Sequence, residues 1–448
     1  MSVRNMTEGR PARLMMSVAL PLMLGNIFQQ LYTVVDARIV GSMIGVGALA
    51  AVGASDWFNF LFMGLLQGFA MGFAIPLAQA FGANDHVRLR RYAGNAVLLS
   101  LVTSVFFTAL ALLVLQPALT LMNTPEAIRP LSTLYLTILF SGLPIVMGYN
   151  LLAAALRSLG DGKSPLYAMV VASVVNIVLD LLFVAVFRWS IAGAAIATAI
   201  AQGCSCVFCL FRLRRVTFIH PARSDFRPDR AICTRLMLLS VPVAVQNGVI
   251  GVGGLIVQRV VNTMGVTFIA GYTASNKLYG VLEIAAISFG YAISSYCGQN
   301  LGAKRYDRIR AGVRTGAVLG VVTAVVIAAV MFVFGGSIVA SFISGTPEEV
   351  SEATRIAREY LYLMAAGLPV LYLLYNYRSA LQGMGNTVAP MLSGAAELIM
   401  RTSCALILPG LIGYSGIFWG EVLAWLGADL ILMPNYFILM RKFYRKEA

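Results

Sequence analysis

Residues 14–40 read LMMSVALPLMLGNIFQQLYTVVDARIV, an apolar run carrying a proline at Pro21, an amide at Asn26 and a carboxylate at Asp36. A hydrocarbon core about 30 Å thick is crossed by roughly 20 apolar residues in a helix, so this run is long enough to span a bilayer. Only helices and closed barrels satisfy their backbone in lipid, and barrel strands are much shorter than this. The same ruler, carried outward, gives twelve spans at residues 14–40, 48–77, 92–115, 130–155, 164–187, 191–211, 236–262, 267–299, 312–335, 356–380, 388–411 and 414–440. Composition agrees: 59% of the 448 residues are apolar and 12% are charged, with a mean hydropathy of +0.81. Soluble chains carry about 25% charged residues. The expected fold class is an all-α polytopic membrane protein.

The net charge of +14 is distributed by topology. Of 33 Lys and Arg, 25 fall in one alternating set of segments: the N-terminus, Arg88–Arg91, Arg157–Lys163, Arg212–Arg235, Lys304–Arg314, Arg378 and the tail from Arg441. The opposite set holds Arg129, Arg188, Arg355 and Arg358. The positive-inside rule then places both termini in the cytoplasm, which requires an even number of spans. The basic excess attracts anionic lipid headgroups, and no nucleic-acid partner is expected. The first apolar run is too long for a secretory signal, and no small-residue cleavage site follows it.

Several chemistries are excluded. The six cysteines read as reduced packing residues, including the cluster Cys204, Cys206 and Cys209. The two histidines, His86 and His220, lie in basic loops, and no metal-ligand spacing is present. Gly162-Lys163-Ser164 resembles the end of a phosphate-binding loop. That motif needs a glycine where Arg157 stands, and Pro165 follows where its helix should continue. The chain is therefore not expected to be an enzyme or to hold a cofactor, and any active transport must draw on an ion gradient.

The chain is also written twice. Gln79-Ala-Phe-Gly-Ala-Asn84 returns as Gln299-Asn-Leu-Gly-Ala-Lys304, and Pro21 and Asn26 return as Pro242 and Asn247. Gly142-Leu-Pro144 matches Gly367-Leu-Pro369, and Leu156 to Gly160 matches Leu381 to Gly385, all at separations of 220 to 226 residues. The expected organisation is an N-terminal segment 1–13, an N-lobe 14–211, a basic linker 212–235, a C-lobe 236–440 and a tail 441–448. Six spans per lobe make N-lobe and C-lobe parallel repeats, related by a pseudo-twofold axis along the membrane normal. Transporters so built bind substrate at the repeat interface and rock between two open states. The span prolines are either static kinks or hinges.

Asp36 and Asp180 stand inside spans, where a carboxylate costs about 2.5–3.5 kcal/mol on insertion scales. Such charges face a partner, an ion or a water-filled path. At helical spacing, Asn26, Gln29, Thr33 and Asp36 fall within a sector of roughly 80°. Asn176 and Asp180 share a face of the fifth span, and Ala194, Thr198 and Gln202 form a column on the sixth. Two carboxylates, an amide oxygen, a hydroxyl and a backbone carbonyl supply hard oxygen ligands for Na⁺, or a proton can take the ion's place. The competing view makes both acids structural, each hydrogen-bonded to neighbouring amides.

The pattern Pro21…Asn26-x-x-Gln29-x-x-Tyr32-x-x-x-Asp36-x-x-x-Val40-Gly41, followed by Leu49-Ala50-Ala51-Val52-Gly53, resembles the opening of multidrug and toxic compound extrusion (MATE) transporters. The two Gln-x-x-Gly-Ala elements, Asn176-x-x-x-Asp180 and Gly193-Ala-Ala-Ile-Ala-Thr198 are similar to that family as well, so the resemblance covers about residues 12–440. It implies twelve helices in two lobes around a V-shaped cavity, in a bacterial cell membrane. It also implies cation-coupled antiport, with Na⁺ or H⁺, of amphipathic and often cationic compounds. Carried over by position, the cation site falls on Asp36, Asn176, Asp180, the carbonyl of Ala194 and Thr198. Substrate-lining positions fall on Gln29, Tyr135 and Asn150.

The C-lobe departs from that pattern. Where some members place acids in the seventh span, this chain has Gln258 and Arg259. Its own charges, Lys277, Glu283, Glu397 and Arg401, read as a structural network in which Glu397 and Arg401 are spaced to pair within one helix. The repeat positions of Asp36 and Asp180 are Val257 and Ala405. The expected partners are small-molecule substrates and membrane lipids, and the expected functional unit is a monomer. The alternative function is a flippase for lipid-linked saccharides, which would favour a cationic cavity where this chain carries an anionic pair.

Overall fold

The computed structural model describes residues 3–122, 124–341, 343 and 347–447. The outermost residues of the two expected terminal segments lie outside that set. Every long element is a helix: α1 (Pro11–Met43), α2 (Val46–Gly82), α3 (His86–Leu121), α4 (Arg129–Ser141), α5 (Leu143–Ser158), α6 (Lys163–Asp180) and α7 (Ser190–Leu213). The second set is α8 (Arg230–Val261), α9 (Val266–Gly302), α10 (Tyr306–Ala340), α11 (Pro347–Gly383), α12 (Val388–Ile407), α13 (Pro409–Ile412) and α14 (Ser415–Glu447). Among the described residues ten helices are long and apolar enough to cross a bilayer by themselves. The expected span at 130–155 is instead two helices, α4 and α5, bent by 47° at Gly142. Pro144, next to that break, lacks the N–H that a continuous helix would need. The more polar α11, with Glu348, Glu349, Glu352 and Arg355 near its start, completes twelve spans.

The repeat is visible in the backbone. Left-handed residues recur in pairs: Gly45 with Gly265, Asn84 with Lys304, and Gly160 with Gly385. At Asn84 the N–H donates to the Phe81 carbonyl, and the next N–H, of Asp85, donates to the Ala80 carbonyl. Lys304 and Arg305 repeat this toward Leu301 and Asn300, and the same pattern closes α5 and α11. This is the double hydrogen bond of a Schellman stop. It explains why the Gln-x-x-Gly-Ala element occurs twice. The loop that mimics a phosphate-binding motif is a helix cap: Asp161 Oδ1 accepts from the N–H groups of Lys163 and Ser164, both at 3.0 Å.

By packing, the chain divides into two compact units. Unit 1 holds the N-terminus to Asn5 and Leu20–Gly248; unit 2 holds Met6–Ala19 and Val249–Ala448. These units differ from the lobes in chain order, because the first part of α1 belongs to unit 2 and the first part of α8 to unit 1. In unit 2, Gln299 Oε1 accepts from the Met6 N–H at 2.7 Å, and Arg308 Nη2 donates to the carbonyls of Met6 and Gly9 at 3.2 and 2.9 Å. In unit 1, the linker before α8 is held by Asn95, whose Nδ2 donates to the Asp225 carbonyl at 3.2 Å. Its Oδ1 accepts from the Asp229 N–H at 3.0 Å. Arg91 also pairs with Asp229 at 2.7 Å.

The core of unit 1 is aromatic, with Phe58, Phe62, Phe69, Phe73 and Phe140 buried against α3 and α5. Glycine permits the closest helix approach there: a Cβ on Gly72 would lie 2.2 Å from the Ser240 Cα. Small residues at helix contacts are the usual means of close packing in membranes, where lipid removes the hydrophobic drive between helices.

Candidate functional site

Three helices of unit 1 bring the expected cation-site residues together. Asp36 comes from α1, Asn176 and Asp180 from the last turns of α6, and Ala194 and Thr198 from the first turns of α7. Asn176, Asp180 and Ala194 are buried, while Asp36 and Thr198 are half-buried. The carboxyl groups of Asp36 and Asp180 face each other within interaction range, and the hydroxyls of Tyr32 and Tyr135 face the same pair. Asn176 Nδ2 donates to Thr198 Oγ1 at 3.4 Å. That bond turns the amide oxygen the other way.

The oxygens are left with nothing to accept from. Asp36 Oδ1, both carboxylate oxygens of Asp180 and Asn176 Oδ1 are shielded and meet no donor among the described residues. Leaving a buried acceptor unpaired costs about 1–3 kcal/mol, and more for a charged one. Four such atoms lie together near the ends of α1 and α6. Among the described residues no amide donates to these four oxygens, and Asn176 gives an N–H to Thr198.

The local backbone is unusual where the site sits. Immediately after Asp180 the α-helix widens into a π-helical segment, Leu181–Val186. Such segments occur often at functional sites. Arg188 and Ser190 then take left-handed conformations, and Phe183 stacks on Trp189 at 4.8 Å. Gly193 lets α7 lie against this widened turn: a Cβ there would come 3.0 Å from the Phe183 Cβ and 3.2 Å from its carbonyl carbon. The first turn of α7, which carries Ala194, is thereby packed against the π-helical segment that follows α6.

The remaining expected residues are placed as follows. Tyr135 is buried against the acid pair. Gln29 is exposed on α1, one turn before Thr33, whose hydroxyl folds back to donate to the Gln29 carbonyl at 3.0 Å. Asn150 is half-buried and its Nδ2 donates to the Val146 carbonyl of its own helix at 3.0 Å. Asp56 in α2 also faces Tyr135. Sequence reading passed over Asp56, although an acid within a span is the signal that singled out Asp36.

In unit 2 the expected pairing of Glu397 with Arg401 is not what forms. Glu397 pairs with Arg378 of α11, and Arg401 pairs with Glu421 of α14 at 2.8 Å. Both pairs are nearly buried. Side chains four apart on α12 diverge toward different neighbouring helices, and contacts across helices replace the local one. Arg378 is thus a buried partner rather than one of the basic loop residues. Glu283 accepts from the Tyr375 hydroxyl at 2.8 Å. Lys277 is exposed and has no ion-pair partner among the described residues. Glu421 and Asp429 were not picked out from sequence, though both are charges inside a span.

The repeat can be followed into these side chains. A Cβ on Gly416 would meet Leu408 and Pro409, as one on Gly193 meets Phe183, so the two glycines occupy matching places. Glu421 then stands where Thr198 does, and Arg401 where Asn176 does. The amide–hydroxyl contact of one lobe is an ion pair in the other.

The MatE family profile matches residues 21–182 and 242–407, once in each repeat. The chain is 30% identical to the probable multidrug resistance protein YpnP of Bacillus subtilis (strain 168) over 309 residues, 69% of either chain. It is 27% identical to the probable multidrug resistance protein YoeA of the same organism, over 90% of this chain and 83% of that one. A crystal structure of a MATE in complex with MaL6 superposes with a TM-score of 0.91 at 20% identity, covering 98% of this chain and 99% of that one. With its twelve helices in two parallel repeats, the chain is a multi-pass membrane protein that belongs to the MATE family of multidrug efflux transporters.

Proposed function

We propose that this chain is a secondary active antiporter that exports amphipathic, cationic organic compounds in exchange for Na⁺ or H⁺. The observation that carries the reading is the set of donorless oxygens on Asp36, Asp180 and Asn176 in unit 1. Asp36, Asn176, Asp180, the Ala194 carbonyl and Thr198 offer five hard oxygen donors, a number and type that suit Na⁺. A proton shared by the two facing carboxyls meets the same need, because two carboxylates at close range do not both stay ionised. Gln29, Tyr135 and Asn150 contact the substrate on the same side. Binding of the ion bends α1 near Pro21 and narrows the substrate's space, and release of the ion reverses the bend.

Both termini lie in the cytoplasm of a bacterial cell, supported by the distribution of Lys and Arg. The chain works as a monomer with lipids and small-molecule substrates as its partners, and it needs no cofactor. The anionic pair disfavours a pyrophosphate-linked lipid as cargo.

The test is efflux of a fluorescent organic cation from proteoliposomes under separate Na⁺ and proton gradients. Wild-type protein responds to one gradient, and Asp36→Asn abolishes the response. Gradient-driven efflux unchanged by Asp36→Asn overturns the assignment.

A further inference from the structure

We propose that Arg378, Glu397 and Asp429 form a proton-binding site in unit 2, in which one guanidinium serves two carboxylates in turn. The proton sits on whichever carboxylate the arginine does not touch. The site is separate from the acid pair of unit 1 and does not depend on that reading.

The argument starts from two unmet groups in one buried place. Arg378 of α11 and Glu397 of α12 form an ion pair with side chains only 7% and 6% exposed. Asp429 of α14 is 6% exposed and lies within electrostatic reach of both. Its Oδ1 is shielded and has no donor, while Arg378 Nε is shielded and has no acceptor. A guanidinium presents five donors in a planar fork and can serve two carboxylates. Here it serves one, and both the spare donor and the spare acceptor remain.

Charge balance assigns the proton. Of the acids in these spans Glu397 and Asp429 are buried and Glu283 and Glu421 half-buried, against a buried Arg378 and a half-buried Arg401. Each arginine already has a carboxylate. Ionised and unpaired, Asp429 would bear the full cost of burying a charge, and a buried group in that position takes up a proton instead. The groups facing it are Arg378 and Glu397, with the Tyr377 hydroxyl on α11 as the other titratable neighbour. The other helices packed on α14, α10 and α13, bring no charged group to Asp429 among the described residues.

The exchange conserves charge. The proposed triad carries one guanidinium cation, one carboxylate anion and one neutral acid. When the guanidinium turns to Asp429, the Asp429 proton passes to Glu397 or leaves, and in the first case the net charge is unchanged. Nothing in the helical scaffold requires these residues. The matching positions of the other repeat are Ala153, Ala172 and Cys206, two buried alanines and a thiol.

The test reads the proton directly. Full-length protein carrying carboxyl-labelled aspartate is reconstituted in liposomes, in an Asp36→Asn, Asp56→Asn, Asp180→Asn background that removes the span aspartates of unit 1. Infrared difference spectra between neutral and alkaline pH should show the labelled carbonyl stretch of a protonated aspartic acid. That band disappears in Asp429→Asn. It also disappears in Asp429→Glu, which keeps an acid but removes the label. In Glu397→Gln the freed arginine turns to Asp429, and the band is lost at neutral pH with Asp429 still present. Absence of the band from the background protein overturns the proposal. So does a band that survives Asp429→Glu, or one that persists unchanged in Glu397→Gln.

Discussion

Arg401 of α12 and Glu421 of α14 form an ion pair at 2.8 Å, at the repeat positions of the Asn176–Thr198 contact in the other lobe. A site that offers unpaired oxygens in one lobe is closed by a built-in cation in the other. The scaffold is symmetric and its chemistry is not. Val257 and Ala405, in place of Asp36 and Asp180, complete the difference.

Removing one member of that closed pair should be expensive. Arg401→Met leaves Glu421 buried without its partner, and such losses cost about 3–5 kcal/mol. Adding Glu421→Gln removes the orphaned charge and recovers most of the loss. Chemical unfolding of the detergent-solubilised single and double variants measures both. A single variant as stable as wild type would mean the pair is replaced by solvent.

At the proposed cation site, Asp180→Asn and Asp36→Asn each delete a charged oxygen that the proposal makes a ligand. A charge-assisted contact is worth about 1.5–3 kcal/mol, so apparent affinity for the coupling ion falls roughly 10–100-fold. Thr198→Val removes a neutral ligand and should cost less than either acid. Ion-dependent quenching of intrinsic fluorescence, titrated in each variant, gives the order. An order that places Thr198 first contradicts the ligand set.

Gly193→Ala tests the close approach of α7 to the π-helical segment after Asp180. The added methyl would sit 3.0 Å from the Phe183 Cβ, and overpacking of this kind costs about 1–3 kcal/mol. On the proposed ligand set, ion affinity should drop together with stability, because the displaced element carries Ala194 and Thr198. Gly203→Ala, where the nearest atom is 3.8 Å away, is the matched control and should change neither.

The linker before α8 should loosen when its anchor is cut back. Asn95→Ala removes contacts to Asp225, Arg227 and Asp229, each worth about 1 kcal/mol. Since about 1.4 kcal/mol is tenfold, trypsin should cleave after Arg223 or Arg227 at least roughly tenfold faster. An unchanged digestion rate would show that Arg91 and Asp229 hold the linker without Asn95.

Much of the fold is legible in residue order because bilayer thickness and backbone hydrogen bonding leave few choices. Twelve spans follow from apolar length, and the doubling follows from motifs such as Gln79–Asn84 and Gln299–Lys304. The Schellman stops show why those motifs carry signal: they fix the left-handed residues that end helices. Asp36, Asn176, Asp180 and Thr198 could be grouped by helical spacing, because residues on one face of neighbouring helices converge when the helices pack. The partners of Glu397 and Arg401 could not. Sequence spacing suggests the contact within one helix, and only packing chooses between that and a longer reach to α11 or α14.

Composition, span length and internal repetition thus determine that this chain crosses a membrane in two parallel six-helix copies with carboxylates at depth. Those properties are one-dimensional, set by water, lipid and the backbone. Tertiary structure alone decided which carboxylates meet an arginine and which meet no donor among the described residues. It also decided that α1 and α8 are each shared between the two packing units, and that α6 ends in a π-helical turn beside Asp180. Each of these depends on which side chains converge from separate helices, and convergence is a property of packing.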